Sequence, residues 1–395
     1  MSIYVFGVGL VLSQFYVFKS GVPQPAHFLL VLPILFYFFR HRRFVINPFG
    51  DAAPILLIIF FVYTAMVNFS YMIAHQETDF ILPIIYLSYG LCVYFVLQNI
   101  LIYRKDAVRS MSIFLLIGLL LLFSMAMLGL GQFRFFPRYN AFFNDPNQMA
   151  FWALCVSSML LVQKSLSDVV KGIIFLFLFY IILKSASRSG LMGFSILFLG
   201  FLMAYFKVAI SSFDVKKIGI VFVSFFVVGV LAYYVLADNL ETILFLENRV
   251  NQVDVGSQAD KRGYTRLIEY PEYIFLGAGQ GAELRFNERG TEIHSTWAGL
   301  LFYYGIPGAL LILHFVYLIA KKLSFSQKMI FAAPLMYSFS TFGFRTPIFW
   351  VFLAFFYSFT LLQKSRKQPY SLSESAVTVK LNSREKRFLL KRGKA

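Results

Sequence analysis

Long apolar runs recur from one end of this chain to the other, broken by short polar stretches. ILLIIFFVYTAMV at 55–67 and IFLLIGLLLLFSMAML at 113–128 are two of them. With its flanks, each is long enough to cross a bilayer, because a helix needs about 20 mainly apolar residues to do so. The pattern predicts spans near 2–18, 25–39, 53–74, 80–103, 111–130, 149–163, 172–183, 190–206, 218–237, 296–320, 327–343 and 347–363. The run at 172–183 is short, and 2–18 is short and interrupted by polar residues. The expected architecture is an all-α polytopic integral membrane protein of about twelve transmembrane helices.

One connection stands apart. Residues 238–295 carry both charge signs, several glycines and scattered aromatics, and a structureless loop of that length is unusual. Leu244, Phe245, Leu267, Ile268, Ile274 and Phe275 offer apolar contacts that would pack it onto the helices. Short helices are expected at about 240–250 and 262–273, the second interrupted by Pro271. The chain therefore divides into a membrane domain of nine helices (1–237), a large outer loop (238–295), a second membrane segment of three helices (296–363) and a basic tail (364–395). No internal repeat is visible, so an inverted-repeat transporter gains no support.

Composition narrows the class. Of 395 residues 59% are hydrophobic and 14% charged, whereas a soluble protein carries about 25% charged residues. The net charge of +17 would suit a nucleic-acid binder, but its distribution follows the loops. If both termini are cytoplasmic, the inner short loops hold fourteen basic residues (Arg40, Arg42, Arg43, Arg104, Lys105, Arg109, Lys164, Lys171, Lys207, Lys216, Lys217, Lys321, Lys322 and Lys328). The outer short loops hold six (Lys19, Arg134, Arg138, Lys184, Arg188 and Arg345). The positive-inside rule selects that orientation. The tail adds ten more Lys or Arg and reads as a solvated segment near anionic headgroups. No cleavable signal peptide is evident, because no small-residue cleavage site follows the first apolar run. Cys92 and Cys155 lie inside apolar runs and read as core residues.

Three outer segments place arginine near the membrane plane. They are KSASRSGLMG with Arg188, KRGYTRLIEY with Arg262 and Arg266 four apart, and GQFRFFPRYNAFFNDPNQMAFW with Arg134 and Arg138. A charge near hydrocarbon is costly unless it is paired or serves a substrate path. The planar fork of arginine also matches a phosphate. Arg134 and Arg345 serve equally well as residues that snorkel to headgroups; the small neighbours of Arg188 shield it less. Asp145 and Asn147 in NDPNQ suit a helix cap. Glu283, Glu288 and Glu292 lack metal-ligand spacing, and GAGQG at 277–281 lacks the strand and lysine of a phosphate loop. No metal or cofactor is expected. His294 precedes Ser295, Thr296 and Trp297 at the start of a span. A lone histidine is most often structural, yet its pKa near neutrality also suits it to take a hydroxyl proton.

The segments SRSG (187–190), TRLIEYPEYIFLGAGQG (265–281) and HSTWAGLLFYYGIPG (294–308), in that order, resemble the O-antigen ligase and O-antigen polymerase superfamily. FFNDPNQMAFW (142–152) is similar to the asparagine-proline-asparagine segment of several polysaccharide polymerases. The resemblance covers roughly residues 130–310. It implies a GT-C-like helical fold whose periplasmic loop caps a membrane cavity. It also implies metal-independent, inverting glycosyl transfer from an undecaprenyl-diphosphate-linked glycan to an acceptor glycan at the bacterial inner membrane. The family's essential arginines fall on Arg188 and Arg266 and its histidine on His294; the family's tryptophan after the loop arginine is missing here, where Ile268 and Glu269 stand. In this reading the three are catalytic, and Arg134, Arg138, Asn144, Asn147, Arg262 and Arg345 contact substrate. Phe133, Tyr139, Phe142, Trp152 and Trp297 line a sugar path or form an interfacial belt. Expected partners are membrane lipid, a chain-length regulator and a flippase, with no nucleic acid. Polymerase and ligase differ only in acceptor, lipid A–core being the ligase's. A lipid flippase or transporter is the alternative from another class, although its ionisable residues would be expected near the midplane.

Overall fold

The computed structural model describes residues 2–18, 24–41, 45–46, 50–104, 106–133, 136–212, 259–260, 262–286 and 290–367, with a few isolated positions between 219 and 248. Apart from those isolated positions, the expected span at 218–237 and the short helix at 240–250 lie outside the described residues, as do Arg134 and residues 368–395 of the tail. Within them the fold is helical, with no β-strand beyond one bridge between Gln132 and Ala141. The helices are α1 (Ser2–Leu12), α2 (Pro25–His41), α3 (Ala53–His75), α4 (Ile81–Tyr103), α5 (Ala107–Met127), α6 (Pro146–Leu161), α7 (Asp168–Ser185), α8 (Arg188–Ser212), α9 (Arg266–Glu269), α10 (Tyr273–Leu276), α11 (Thr296–Ala320), α12 (Phe325–Tyr337) and α13 (Pro347–Lys367). Among the described residues, four stretches are long and apolar enough to cross a membrane: Ala53–His75, Thr78–Tyr103, Ala107–Met127 and Thr296–Ala320.

The outward faces explain the composition. On α3 the residues Leu57, Phe60, Thr64 and Asn68 are buried, while Ile55, Ile59, Val62, Met66, Phe69 and Ile73 are exposed. Both sets recur at helical spacing, so the helix is apolar all round, and a stripe this long facing water would be costly. Facing lipid it costs nothing. Some boundaries differ from the sequence reading. α1 stops at Leu12 because Ser13 and Gln14 turn their side chains onto the carbonyls of Leu10 and Val11, Gln14 also reaching Gly118. α12 stops at Tyr337 rather than 343, because Ser338 and Thr341 give their carbonyls to the Thr296 N–H. α7 is longer than expected, with Ser167 capping its start.

Alternate connections gather at opposite ends of the bundle. At one end Lys322 pairs with Asp51, Arg104 reaches Ser2, and Gln163 accepts from Ser112. At the other end Tyr139 N–H donates to the Lys184 carbonyl, Thr296 ties to 338–343, and Gly281 lies against Asp79 and Phe80. All the connections expected on the outer face that are described meet at this second end.

The long connection does not sit above the bundle; part of it is laid into it. Gly305 interrupts α11 with φ 63° and ψ −171°, a conformation essentially confined to glycine, and Pro307 follows without an N–H. The break frees the carbonyls of Phe302 and Tyr303, which would otherwise accept from residues 306 and 307. Ala278 N–H donates to the first and Gly279 N–H to the second, each at 2.9 Å. A Cβ on Gly277 would lie 2.4 Å from the Tyr303 oxygen, and one on Gly305 would lie 2.6 Å from the Phe275 oxygen. From α3, the hydroxyls of Tyr63 and Tyr71 donate to the Leu276 and Gly277 carbonyls, and Asn68 Oδ1 accepts from Gln280 N–H. The Arg285 guanidinium, stacked on Tyr71, Phe80 and Phe286, donates to the carbonyls of Ala278, Gly279, Gly281 and Ala282. GAGQG is thus a docking strap for a broken helix. Pro271 separates α9 from α10, the interruption expected there.

Gly277→Ala and Gly305→Ala should each destabilise the fold by roughly 2 kcal/mol or more, from strained backbone and a blocked close approach. Thermal melting in detergent reads this directly. Wild-type melting of both variants would refute the docking.

Candidate functional site

At the end of the bundle where the strap enters lies a cavity of about 600 Å³. Its polar wall comes from three connections: Asn144, Asp145, Asn147 and Gln148 ahead of and within α6; Arg262, Glu292 and His294 from the long connection; and Ser340, Thr341, Arg345 and Thr346 between α12 and α13. Its other wall comes from Tyr16, from His27, Phe28 and Val31 on α2, and from Ile85, Tyr86 and Tyr89 on α4.

Each polar side chain has an identifiable support. Pro146 opens α6, and Asp145 caps it by accepting from Asn147 N–H at 2.6 Å. Asn147 Oδ1 then accepts from Arg138 Nη2 at 3.0 Å and from the Ser187 hydroxyl at 3.1 Å, and its carbonyl accepts from Tyr337. Arg138 Nε donates to the Ser185 carbonyl. NDPNQ and SASRSG are therefore one structural unit, joined through Asn147. His294 N–H donates to the Arg262 carbonyl at 3.1 Å, and Arg262 Nη1 donates to the Ser340 carbonyl at 3.0 Å. Ser295 caps α11, and Trp297 Nε1 donates to the Leu335 carbonyl. Arg345 pairs with Glu292 and lies over Tyr86 and Phe342.

The electrostatics suit a neutral imidazole among cations. Enclosure by protein lowers the His294 pKa, Arg262 lowers it further, Asp145 opposes, and Arg266 adds a smaller lowering. His294 remains accessible from the cavity despite that enclosure. Burial also lowers the pKa of Arg138, with Asp145 opposing and with Arg188 and Arg262 near enough to add to the lowering. Arg138, Arg188 and Arg262 form a cationic group around the Asn147 unit.

The residues read as functional from the sequence fall into three sets. His294, Arg262, Arg345, Asn144 and Asn147 line the cavity together. Arg138 and the half-buried Arg188 stand behind its wall. Arg266 is elsewhere. It is buried, with Nη1 on Glu283 Oε2 at 2.6 Å, Nη2 on the Thr291 carbonyl and its guanidinium over Phe286. Tyr303 donates to the same Glu283 oxygen at 3.0 Å and accepts from Ile293 N–H at 3.0 Å. Hydrogen bonds thus link Arg266 to the His294 segment through Glu283, Tyr303 and the 291–293 backbone. Glu283, which offers no ligand spacing in sequence, is the buried counter-ion of this chain, and burial raises its pKa despite the bonds from Arg266 and Tyr303. The sequence reading also left out Tyr16, His27, Tyr86 and Tyr89; the spacing of three between the last two on one face of α4 was the available signal. Phe133 and Phe142 are exposed, whereas Tyr139 and Trp152 are buried core. Among the described residues no group of three or more His, Cys, Asp or Glu is placed to hold a metal ion.

Fold and site together define an α-helical protein with helices long and apolar enough to cross a membrane and a charged cavity at one end of the bundle. Comparison with known proteins finds no matching family model and no matching curated protein.

Arg266→Ala leaves Glu283 buried without its partner and should cost about 3–5 kcal/mol. Arg266→Met combined with Glu283→Leu should recover much of that loss, because a buried pair replaced by packed apolar groups is often close to neutral. Melting temperatures of the single and double variants check the coupling; purely additive losses would contradict it.

Proposed function

We propose that the protein is a membrane glycosyltransferase that polymerises oligosaccharide repeat units linked to undecaprenyl diphosphate. In this reading the chain has about twelve spans in a GT-C-like arrangement, lies in the bacterial inner membrane with both termini cytoplasmic, and opens its cavity to the periplasm. The observation that carries the reading is the convergence of His294, Arg262, Arg345, Asn144 and Asn147 on one cavity, with Arg138 and Arg188 behind them. These are a base and a cationic group at one end of membrane-crossing helices. That combination suits an acceptor hydroxyl attacking a lipid-linked phosphate ester.

The step balances without a cofactor. The acceptor sugar's hydroxyl oxygen forms a bond to the donor's anomeric carbon while the bond from that carbon to the diphosphate oxygen breaks. The hydroxyl proton passes to His294, and the diphosphate leaves with the bonding electrons. Attack from the face opposite the leaving group inverts the anomeric centre. Arg262 faces the cavity, and with Arg138 and Arg188 it supplies positive charge where the leaving group develops negative charge. Arg266 holds the His294 segment in place through Glu283 and Tyr303. That assigns it a positioning role rather than a substrate contact.

Purified protein in proteoliposomes, supplied with lipid-linked repeat unit, should lengthen the glycan. Transfer to lipid A–core alone would make it a ligase, and lipid movement across the bilayer without growth would make it a transporter. His294→Ala should lower turnover by about 10²–10⁴-fold, the usual general-base contribution, at normal membrane abundance. Scarce protein or full activity in that variant would remove the base.

The pH dependence has a defined sign. The base is active when neutral, so turnover should fall on acidification through a pKa below the ordinary imidazole value. Removing the Arg262 cation (Arg262→Met) should move that acid limb up in pH. Asp145→Asn, which keeps a capping side chain, should move it down because the carboxylate favours the imidazolium. Unmoved limbs in both variants would separate the titrating group from His294.

A further inference from the structure

The long connection reaches far down two of the helices able to cross a membrane. Tyr63, whose hydroxyl donates to the Leu276 carbonyl at 2.7 Å, stands twelve residues before His75 at the cavity end of α3 and ten after Ala53. At the helical rise, that is about 18 Å below the cavity end and close to the middle of the helix. α11 gives a similar depth independently. Gly305 lies nine residues past Thr296, about 14 Å along. A Cβ there would stand 2.6 Å from the Phe275 oxygen and 2.7 Å from the Leu276 carbonyl carbon. A turn further on, a Cβ on Gly308 would meet the Tyr63 ring at 3.6 Å, so the two helices agree in register. The chain therefore descends through α9 and α10, turns at Leu276 and climbs back through the strap to Gly281, beside Asp79 and Phe80.

The turn is built like backbone cut off from water. The N–H groups of Gly277, Ala278, Gly279 and Gln280 donate to the carbonyls of Tyr273, Phe302 and Tyr303 and to Asn68 Oδ1. The carbonyls of residues 276–279 accept from Tyr63, Tyr71 and Arg285. Non-helical backbone at membrane depth is tolerated only where protein supplies its partners in this way. Residues 273–282, YIFLGAGQGA, carry no charge; the exposed Glu272 precedes them and Glu283, buried against Arg266, follows. Yet the tip is uncovered. Phe275 is 68% exposed and Leu276 69%, and no residue of α10 is buried. Val62 and Met66 around Tyr63, and Ile306 and Leu310 beyond Gly305, are exposed and apolar as well. We propose that Phe275 and Leu276 form a re-entrant apolar tip that contacts lipid acyl chains beside α3 and α11, continuing the lipid-facing surface of those helices. The bilayer then holds the strap from outside while α3 and α11 hold it from within. The contact does not depend on the chemistry of the cavity.

The test uses the full chain in phosphatidylcholine proteoliposomes, with one tryptophan added at a time. Phe275→Trp and Leu276→Trp probe the tip, and Glu77→Trp, at an exposed position between α3 and α4, is the aqueous reference. Emission is read against the wild-type chain, whose Trp152, Trp297 and Trp350 set the background. Bromine atoms on the lipid acyl chains should quench the added signal at 275 and 276 and leave that at 77 nearly intact. Iodide in the water should do the reverse. Iodide quenching at 275 and 276 without quenching by bromolipid would overturn the contact. So would added signals that neither quencher reaches, the result expected if a second copy or another protein covers the tip. Unaltered protein supplies a check that no substitution can disturb. A phospholipid with a diazirine on its acyl chain should crosslink, on illumination, to the peptide holding Phe275 and Leu276. Adducts on the α3 peptide holding Val62 and Met66, with none at the tip, would overturn the proposal.

Discussion

Carbonyl groups freed inside an apolar bundle must find donors, and the rest of the cavity end depends on how this chain meets that demand. Gly305 and Pro307 break α11, and the backbone of residues 278–279 supplies the missing hydrogen bonds. An unpaired backbone group away from water costs as much as a lost hydrogen bond, so the strap is held in place by the break it repairs. The strap in turn fixes Arg285, Glu283 and Arg266, and through Tyr303 it fixes the backbone just before His294. One helix break therefore sets the position of a catalytic candidate that lies just ahead of the same helix.

Two further clasps complete the cavity. Asn147 joins the loop before α6 to the turn between α7 and α8, and Thr296 joins the start of α11 to the turn between α12 and α13. Both use short polar side chains in places where the surrounding helices are apolar. In a low-dielectric setting such bonds are strong and expensive to lose, which ties the polar connections to one another while the helices below them pack mainly through apolar side chains. Positive charge is gathered by the same means. Arg138 and Arg262 each give a hydrogen bond to a neutral acceptor, so their charge is fixed in place and only partly offset, by Asp145. Arg345 and Arg266, by contrast, are matched by Glu292 and Glu283. These four arginines thus divide into two bonded to neutral groups and two matched by carboxylates.

How much of this was legible in the sequence varies with the range of the interaction. Apolar runs of membrane length, the cap at Asp145, the break at Pro271 and the start of α11 at Thr296 are local properties, set by residues within a turn or two of one another. They could be read directly, as could the chemical types at the site: a histidine before a long apolar helix, and arginines in polar connections. The assembly of Asn144, Asn147, Arg262, His294 and Arg345 into one wall was foreshadowed only by their shared side of the bundle.

The tertiary structure alone decided which arginine is buried. Arg266 and Arg262 are four apart in a basic run and look equivalent in sequence, yet one is sealed against Glu283 and the other faces the cavity. It also decided that GAGQG repairs a helix rather than cradling a phosphate, and that His27, more than two hundred residues from His294, shares its cavity. The sequence by itself determined that the chain is helical, that it has helices able to cross a membrane and that its chemistry is concentrated in a few polar connections. The physical reason for the division is that hydrophobic period and capping act along the chain, whereas burial, pairing and pKa depend on which distant segments exclude water from one another.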